Sequence, residues 1–159
     1  MNKVNIFDIA TRTWFSQYTT AEMNYPSDRS KFCSVVATAA DNSSYNIYIY
    51  GGEPYAGGVF ILTLPAFHWV QVYPSDMSTD TSHRAVEGHK CVKVHEKYMV
   101  AYRGYYASSK VKCDSSSESN RFQGMAIYDM SALKWTTKVG LENQQYMIPQ
   151  ALHEIIGGK

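Results

Sequence analysis

The chain has 159 residues, 45% of them hydrophobic, which is ordinary for one domain and enough apolar material for a real core. Its 15 Lys and Arg nearly balance 14 Asp and Glu, so no basic field exists to neutralise a phosphate backbone, and nucleic acid is excluded as the expected partner. No run of about 18 apolar residues is present and the opening MNKVNIFDIATRTW has no long apolar segment of the secretory type, so no membrane insertion is expected and the chain is either intracellular or a piece of something longer.

Thirteen tyrosines, many β-branched residues and frequent Ser, Thr and Gly, with helical spacing nearly absent, predict an all-β fold. In chain order, strands are expected at 4–8, 14–18, 32–39, 45–50, 58–64, 68–73, 89–95, 98–102, 123–129 and 134–139. Turn signals such as DNSS (41–44) and HEK (95–97) are short enough for antiparallel hairpins. The strand VFILTL over 59–64 is apolar on both faces, as expected of a small sheet packed between two others.

Three stretches align on tryptophan: NIFDIATRTW ending at Trp14, FILTLPAFHW ending at Trp69 and AIYDMSALKW ending at Trp135. Each has two bulky residues, then Asp or Thr six positions before the Trp, then an aliphatic residue. The first two tryptophans are each followed by a polar, Pro-containing loop, a cysteine-bearing strand (FCSVVATAA, KCVKVHEKY) and a strand ending NIYIYGG or MVAYRG. The separations, 69−14=55 and 135−69=66, fit a repeat of about 50 residues with variable loops.

On these residues the sequence resembles the kelch-repeat β-propellers. Within them it is similar to a fungal, galactose-oxidase-like kelch family with cell-surface or membrane-anchored members. The likeness is carried by RSKFCSVVATAADNSSYNIYIYGG (29–52), VFILTLPAFHWVQVYPSD (59–76) and YMIPQALHEIIGG (146–158). It implies a partial propeller: an N-terminal half blade over 4–18, four-stranded antiparallel blades over 30–73 and 88–139, and a tail over 146–159 that packs on the propeller or leaves it. In this pattern Gly51, Gly52 and Gly104 are structural, letting the chain turn tightly where blades crowd the axis. Trp14, Trp69 and Trp135 are expected to pack on neighbouring blades. Two positions depart from the pattern: Arg103-Gly104 stands where Gly-Gly is usual, and Thr63 replaces the aspartate kept as Asp8 and Asp129.

The five histidines and three cysteines show neither C-x2-C nor H-x3-H spacing, so no metal site is expected. His89 matches a kelch position where histidine serves structure. GGEPYAGG (51–58) lacks the lysine of a phosphate loop, and no G-x-S-x-G is present. The copper site of galactose oxidase needs ligands from more blades than this chain holds. No catalytic, cofactor or metal residue is therefore expected, and the chain is read as a non-enzyme.

The resemblance implies an interaction or cell-surface scaffold domain whose partner is an unknown protein or glycan. The alternative is part of a galactose-oxidase-like carbohydrate-active enzyme or a glycan-binding module. Tyr25, Tyr55, Tyr105 and Tyr106, in loops on one propeller face, are the candidate contact residues. The half blade leaves an edge that the remaining blades of a longer propeller, or a homo-oligomer, would cover. Asn42 begins the sequon Asn42-Ser43-Ser44 in a predicted hairpin turn. The resemblance also implies an oxidising compartment. There, in a propeller blade, Cys91 at the start of the inner strand and Cys113 in the loop between the second and third strands would share a face and form a disulfide, leaving Cys33 a buried thiol.

Overall fold

A computed structural model describes residues 1–53, 58–72, 86–106, 125–141 and 145–156, apart from the side chains of Tyr106 and Ile156. The first sheet is an antiparallel hairpin of β1 (Lys3–Asp8) and β2 (Thr13–Tyr18). The second contains β3 (Thr20–Ala21), β4 (Cys33–Thr38), β5 (Tyr45–Tyr50), β6 (Val59–Leu64) and β7 (His68–Val72), in the order β3-β7-β6-β5-β4. The third contains β9 (Lys90–Val94), β10 (Tyr98–Tyr102), β12 (Met125–Asp129) and β13 (Lys134–Thr136), in the order β13-β12-β10-β9. Two further pieces, β8 (Val86–Glu87) and β11 (Tyr105–Tyr106), pair with each other, and α1 (Gln150–Ile156) is the one helix among the described residues. The three main sheets are successive blades of a partial propeller, all-β but for α1, and they do not close into a barrel.

The differences from expectation are local. The middle blade is five-stranded because β3 pairs in parallel with β7, following the chain as it leaves the half blade. The last strand ends at Thr136 rather than 139. The expected strand ends at 73 and 123–124 lie outside the described residues. The helix has no sequence-scale periodicity because it is only seven residues long and is held by Leu152, which is buried.

Repetition of the Asp-to-Trp stretch has a structural cause. Asp8 Oδ1 accepts hydrogen bonds from the Ala10 and Thr11 amides (2.8 and 3.1 Å). Asp129 Oδ1 accepts them from Ser131 and Ala132 (3.0 Å each). Each aspartate thus ties down the turn that brings back the tryptophan strand. Two residues before each tryptophan, Arg12, Phe67 and Leu133 take left-handed φ values of 55, 52 and 52°. The middle blade keeps this turn without the aspartate; there Thr63 Oγ1 donates to the His68 carbonyl at 3.3 Å.

Register assigns each side chain to a face, since alternate residues point to opposite sides of a strand. On one face of the middle blade lie Cys33, Val35 and Ala37 opposite Tyr50, Tyr48 and Asn46, then Val59 and Ile61 opposite Val72 and Val70. These pack with Met99, Ala101 and Tyr128 of the third blade, together with Tyr146 and Leu152 from the C-terminal segment. The other face carries Ile49, Phe60, Leu62 and Trp69, packed with Met1 and Val4 of the half blade. Both faces of β6 are therefore buried, which is why its sequence shows no polar alternation.

Candidate functional site

Two regions stand out: the seam where the inner strands of the middle and third blades meet, and the aromatic face of the half blade.

At the seam, β4 and β9 run side by side and Cys33 faces Cys91. The two form a disulfide with Cα atoms 5.5 Å apart, joining residues 58 positions apart in the chain. This corrects the expected Cys91–Cys113 pairing. Cys33 points from its blade toward the next and Cys91 points back, so the partner comes from the adjacent blade rather than from a loop of the same blade. Cys113 lies outside the described residues.

His89, two residues before Cys91, projects into the same seam and is only 3% exposed. Its ring meets Tyr50 edge-on, with centroids 5.1 Å apart. Neither ring nitrogen has a hydrogen-bond partner of good geometry. Burial holds the imidazole pKa down at about 4, slightly offset by the nearby Tyr50 backbone, so the ring is neutral at physiological pH. The sulfurs and a ring nitrogen of Cys33, Cys91 and His89 all lie within 4.8 Å of one another.

The glycines make room for this ring. A Cβ on Gly51, at φ 70°, would strike His89 Cε1 and the Val86 carbonyl. One on Gly104, at φ 108°, would lie 2.9 Å from both His89 Cβ and the Glu87 carbonyl. Arg103 takes the place of the first glycine of the pair yet adopts φ 59°, so the backbone of the double-glycine turn survives the change. At the rim, Lys31 Nζ pairs with Glu53 at 2.6 Å and approaches Glu87 at 3.8 Å. The hydrogen bond to Glu53 raises the Lys31 pKa. Arg29 donates to the Gly51 carbonyl at 3.2 Å.

The tryptophans differ sharply. Trp69 is 3% exposed and lies on the face turned to the half blade. Trp135 is half-buried and packs edge-on against Tyr50 of the middle blade, with centroids 4.8 Å apart. Each therefore faces the blade that precedes it. Trp14, at the equivalent position of the half blade, is 71% exposed. It shares its face with Phe7, 5.0 Å away between centroids, and with Tyr18, over which Lys3 sits at 5.5 Å. At the opposite end of the stack, the outer face of the third blade carries Val92 and Met125, both exposed.

Of the four loop tyrosines, Tyr25 and Tyr105 are described with their side chains. Tyr25 spends its hydroxyl on the Thr19 carbonyl at 3.1 Å. Tyr105 stands in β11, paired with Glu87; the side chain of Tyr106 and all of Tyr55 lie outside the described residues. Asn42 is exposed in the β4–β5 turn at φ 59°. Among the described residues no helix is long and apolar enough to cross a membrane.

No protein-family model matches the chain. A protein of the fungus Arthroderma benhamiae described as kelch repeat-containing is 29% identical over 187 aligned residues, which take in 99% of this chain and 26% of that protein. The chain is similar to a kelch repeat protein. It spans about a quarter of that relative's length. In this structure Gly51 and Gly52 follow β5, the second of the four antiparallel strands of the middle blade, and the Asp8 and Asp129 turns lead into the tryptophan-bearing strands β2 and β13.

Proposed function

We propose that this chain is a non-enzymatic, kelch-type interaction module that docks through the Phe7, Trp14 and Tyr18 face of its half blade onto the outer face of the third blade in a second copy. The observation that carries this reading is the exposure of Trp14 where both repeat equivalents are turned toward a preceding blade. An indole and two neighbouring aromatics on one open sheet face form the kind of apolar patch that marks an interaction surface.

The receiving surface is on the same chain. Val92 and Met125 occupy the face that a following blade would cover, as Tyr48 and Tyr50 occupy the corresponding face of the middle blade. A contact between two different faces of identical chains is head-to-tail, so a dimer keeps one free face of each kind, one on each copy. Similarity to a kelch repeat-containing protein supports an interaction or scaffold role.

Light scattering across a concentration series tests the proposal. The wild type is expected to associate, whereas Trp14→Ser and Val92→Lys each reduce it to monomer. Mixing the two variants is expected to restore a one-to-one dimer, because each retains the face the other has lost. A wild type that stays monomeric, or a Trp14→Ser variant that associates as strongly as wild type, would overturn the reading.

A further inference from the structure

Three clusters of polar side chains among the described residues lie outside the docking face. The buried tyrosines Tyr48 and Tyr146 share a hydrogen bond, Tyr48 also reaches the Met130 carbonyl, and the Tyr128 ring packs against Tyr48, so the group is part of the core between the blades. The Lys31, Glu53 and Glu87 group is already an ion-paired rim. The Cys33, His89 and Cys91 cluster is different, because it combines two sulfurs with a buried imidazole whose ring nitrogens make no hydrogen bond of good geometry.

We propose that, once the Cys33–Cys91 disulfide is reduced, the two thiolates and the His89 imidazole form a binding site for one borderline or soft cation of the zinc class. Cys33 comes from β4, Cys91 from β9 and His89 from the residue just before β9, so the site spans the two blades. Their ligand atoms already lie within 4.8 Å of one another. Thiolates at the usual zinc–sulfur distance in a tetrahedral site stand roughly 3.8 Å apart, so opening the S–S bond brings the donors into range with small side-chain rotations.

The second line of support is His89 itself. It is 3% exposed, and both ring nitrogens lack a well-formed partner. Buried polar groups are normally satisfied, and those that are not call for an explanation such as an ion. The glycines at 51 and 104 leave the space in which the ring stands. Two thiolates and a divalent cation sum to zero charge, which suits a buried seam. Three protein ligands leave a fourth position for water or another donor, and Cys91 is only partly buried.

The chemistry balances as follows. A dithiol reductant supplies two electrons and two protons, the S–S bond breaks, and the reductant leaves as its own disulfide. The cation then displaces both thiol protons to solvent while His89 donates a lone pair without losing a proton. The same pair of cysteines therefore fastens the blades covalently under oxidising conditions and through the cation under reducing ones.

The test uses the full chain carrying Cys113→Ser, so that the third thiol cannot contribute. Protein reduced with a phosphine and shown by circular dichroism to be folded is titrated with Co(II), followed by displacement with Zn(II). One equivalent is expected to bind with thiolate-to-cobalt charge-transfer bands and intense tetrahedral d–d bands. His89→Ala should weaken binding at least tenfold and shift the d–d bands. Cys91→Ser should reduce the charge-transfer intensity by about half, and the oxidised protein should bind no metal. Zinc should raise the melting temperature of the reduced form and leave that of the oxidised form unchanged. The proposal is overturned if the folded, reduced protein takes up no cobalt, or if His89→Ala binds it with unchanged affinity and spectrum.

Discussion

Breaking the Cys33–Cys91 bond should cost this chain a large part of its stability, because the bond closes 58 residues of chain across the boundary between two blades. In the chain-entropy account, a loop of that length restricts the denatured ensemble by roughly 14 cal/mol/K, which is about 4 kcal/mol near room temperature. Against a typical total of about 5–15 kcal/mol for a domain, that is a major share. The alternative Cys91–Cys113 loop, 113−91=22 residues, would contribute roughly 3 kcal/mol, too close for stability alone to tell the two apart. The assay therefore pairs urea unfolding with non-reducing peptide mapping. Oxidised protein, reduced protein and Cys33→Ser are compared, all with a chelator present so that no metal compensates for the lost bond. Reduced protein and Cys33→Ser should unfold at the same, lower urea concentration. A peptide joining Cys91 to Cys113, or an unfolding midpoint that does not move when Cys33 is replaced, would refute the placement of the bond and with it the argument from adjacent inner strands.

The repeat makes a second, comparative prediction: Trp69→Ala should destabilise by about 3–5 kcal/mol because it empties a buried site between blades, whereas Trp14→Ala should change monomer stability by no more than about 0.5 kcal/mol. Equal losses in thermal or urea unfolding would show that the two tryptophans are not related as described. A third concerns alkaline pH. Burial raises the phenol pKa values of Tyr48, Tyr128 and Tyr146, that of Tyr146 to about 12, so below the ordinary phenol value near 10 all three favour the fold. Between that value and the raised ones, only the unfolded state ionises, and stability is lost as pH rises. Phenolate absorbance should then appear in an abrupt step coincident with loss of the far-ultraviolet strand signal; a smooth titration of every tyrosine with the fold intact would contradict it.

The architecture was legible because its signals are local. The NIYIYGG strand, the Asp-to-Trp turn and the doubly apolar VFILTL each record a constraint imposed within a few residues, and each lies where its pattern places it. Even the degenerate positions follow: Arg103 keeps the left-handed backbone of the glycine it replaces. The candidate sites were not legible, because they depend on which blade a side chain faces. Cys33 and Cys91 hold similar places in successive blades, yet one points forward and the other back, a difference of one residue in register that flips every side chain. Metal-ligand spacing could not reveal the cluster either, since His89 and Cys91 are two apart on one strand and Cys33 comes from the neighbouring blade. The short strands β3, β8 and β11 escaped notice because two residues carry no periodicity.

The direction in which the tryptophans face gives the blade stack a polarity. Trp69 and Trp135 both turn toward the earlier blade, so every blade has a backward face that presents an indole and a forward face that receives one. At the seam between the middle and third blades this contact is reinforced at both ends. The disulfide and His89 lie beside the double-glycine turn. At the other end of β5, Tyr48 donates to the Met130 carbonyl at 2.8 Å or shares its proton with Tyr146 Oη at 2.9 Å, and Asn46 donates to Tyr146 at 3.1 Å. Among the described residues the contact between the half blade and the middle blade has no covalent tie; it relies on Met1 and Val4 against the Trp69 face, on the β3 pairing and on polar contacts such as Thr20 Oγ1 with His68 Nδ1 at 2.7 Å. Stability should therefore be graded along the chain, with the β1–β2 hairpin opening first and the cross-linked seam last. A hairpin that is both the least secured element and the bearer of the open aromatic face is well suited to bind by becoming ordered against its partner, and amide protection in β1 and β2 should rise on association while that in β4 and β9 stays constant.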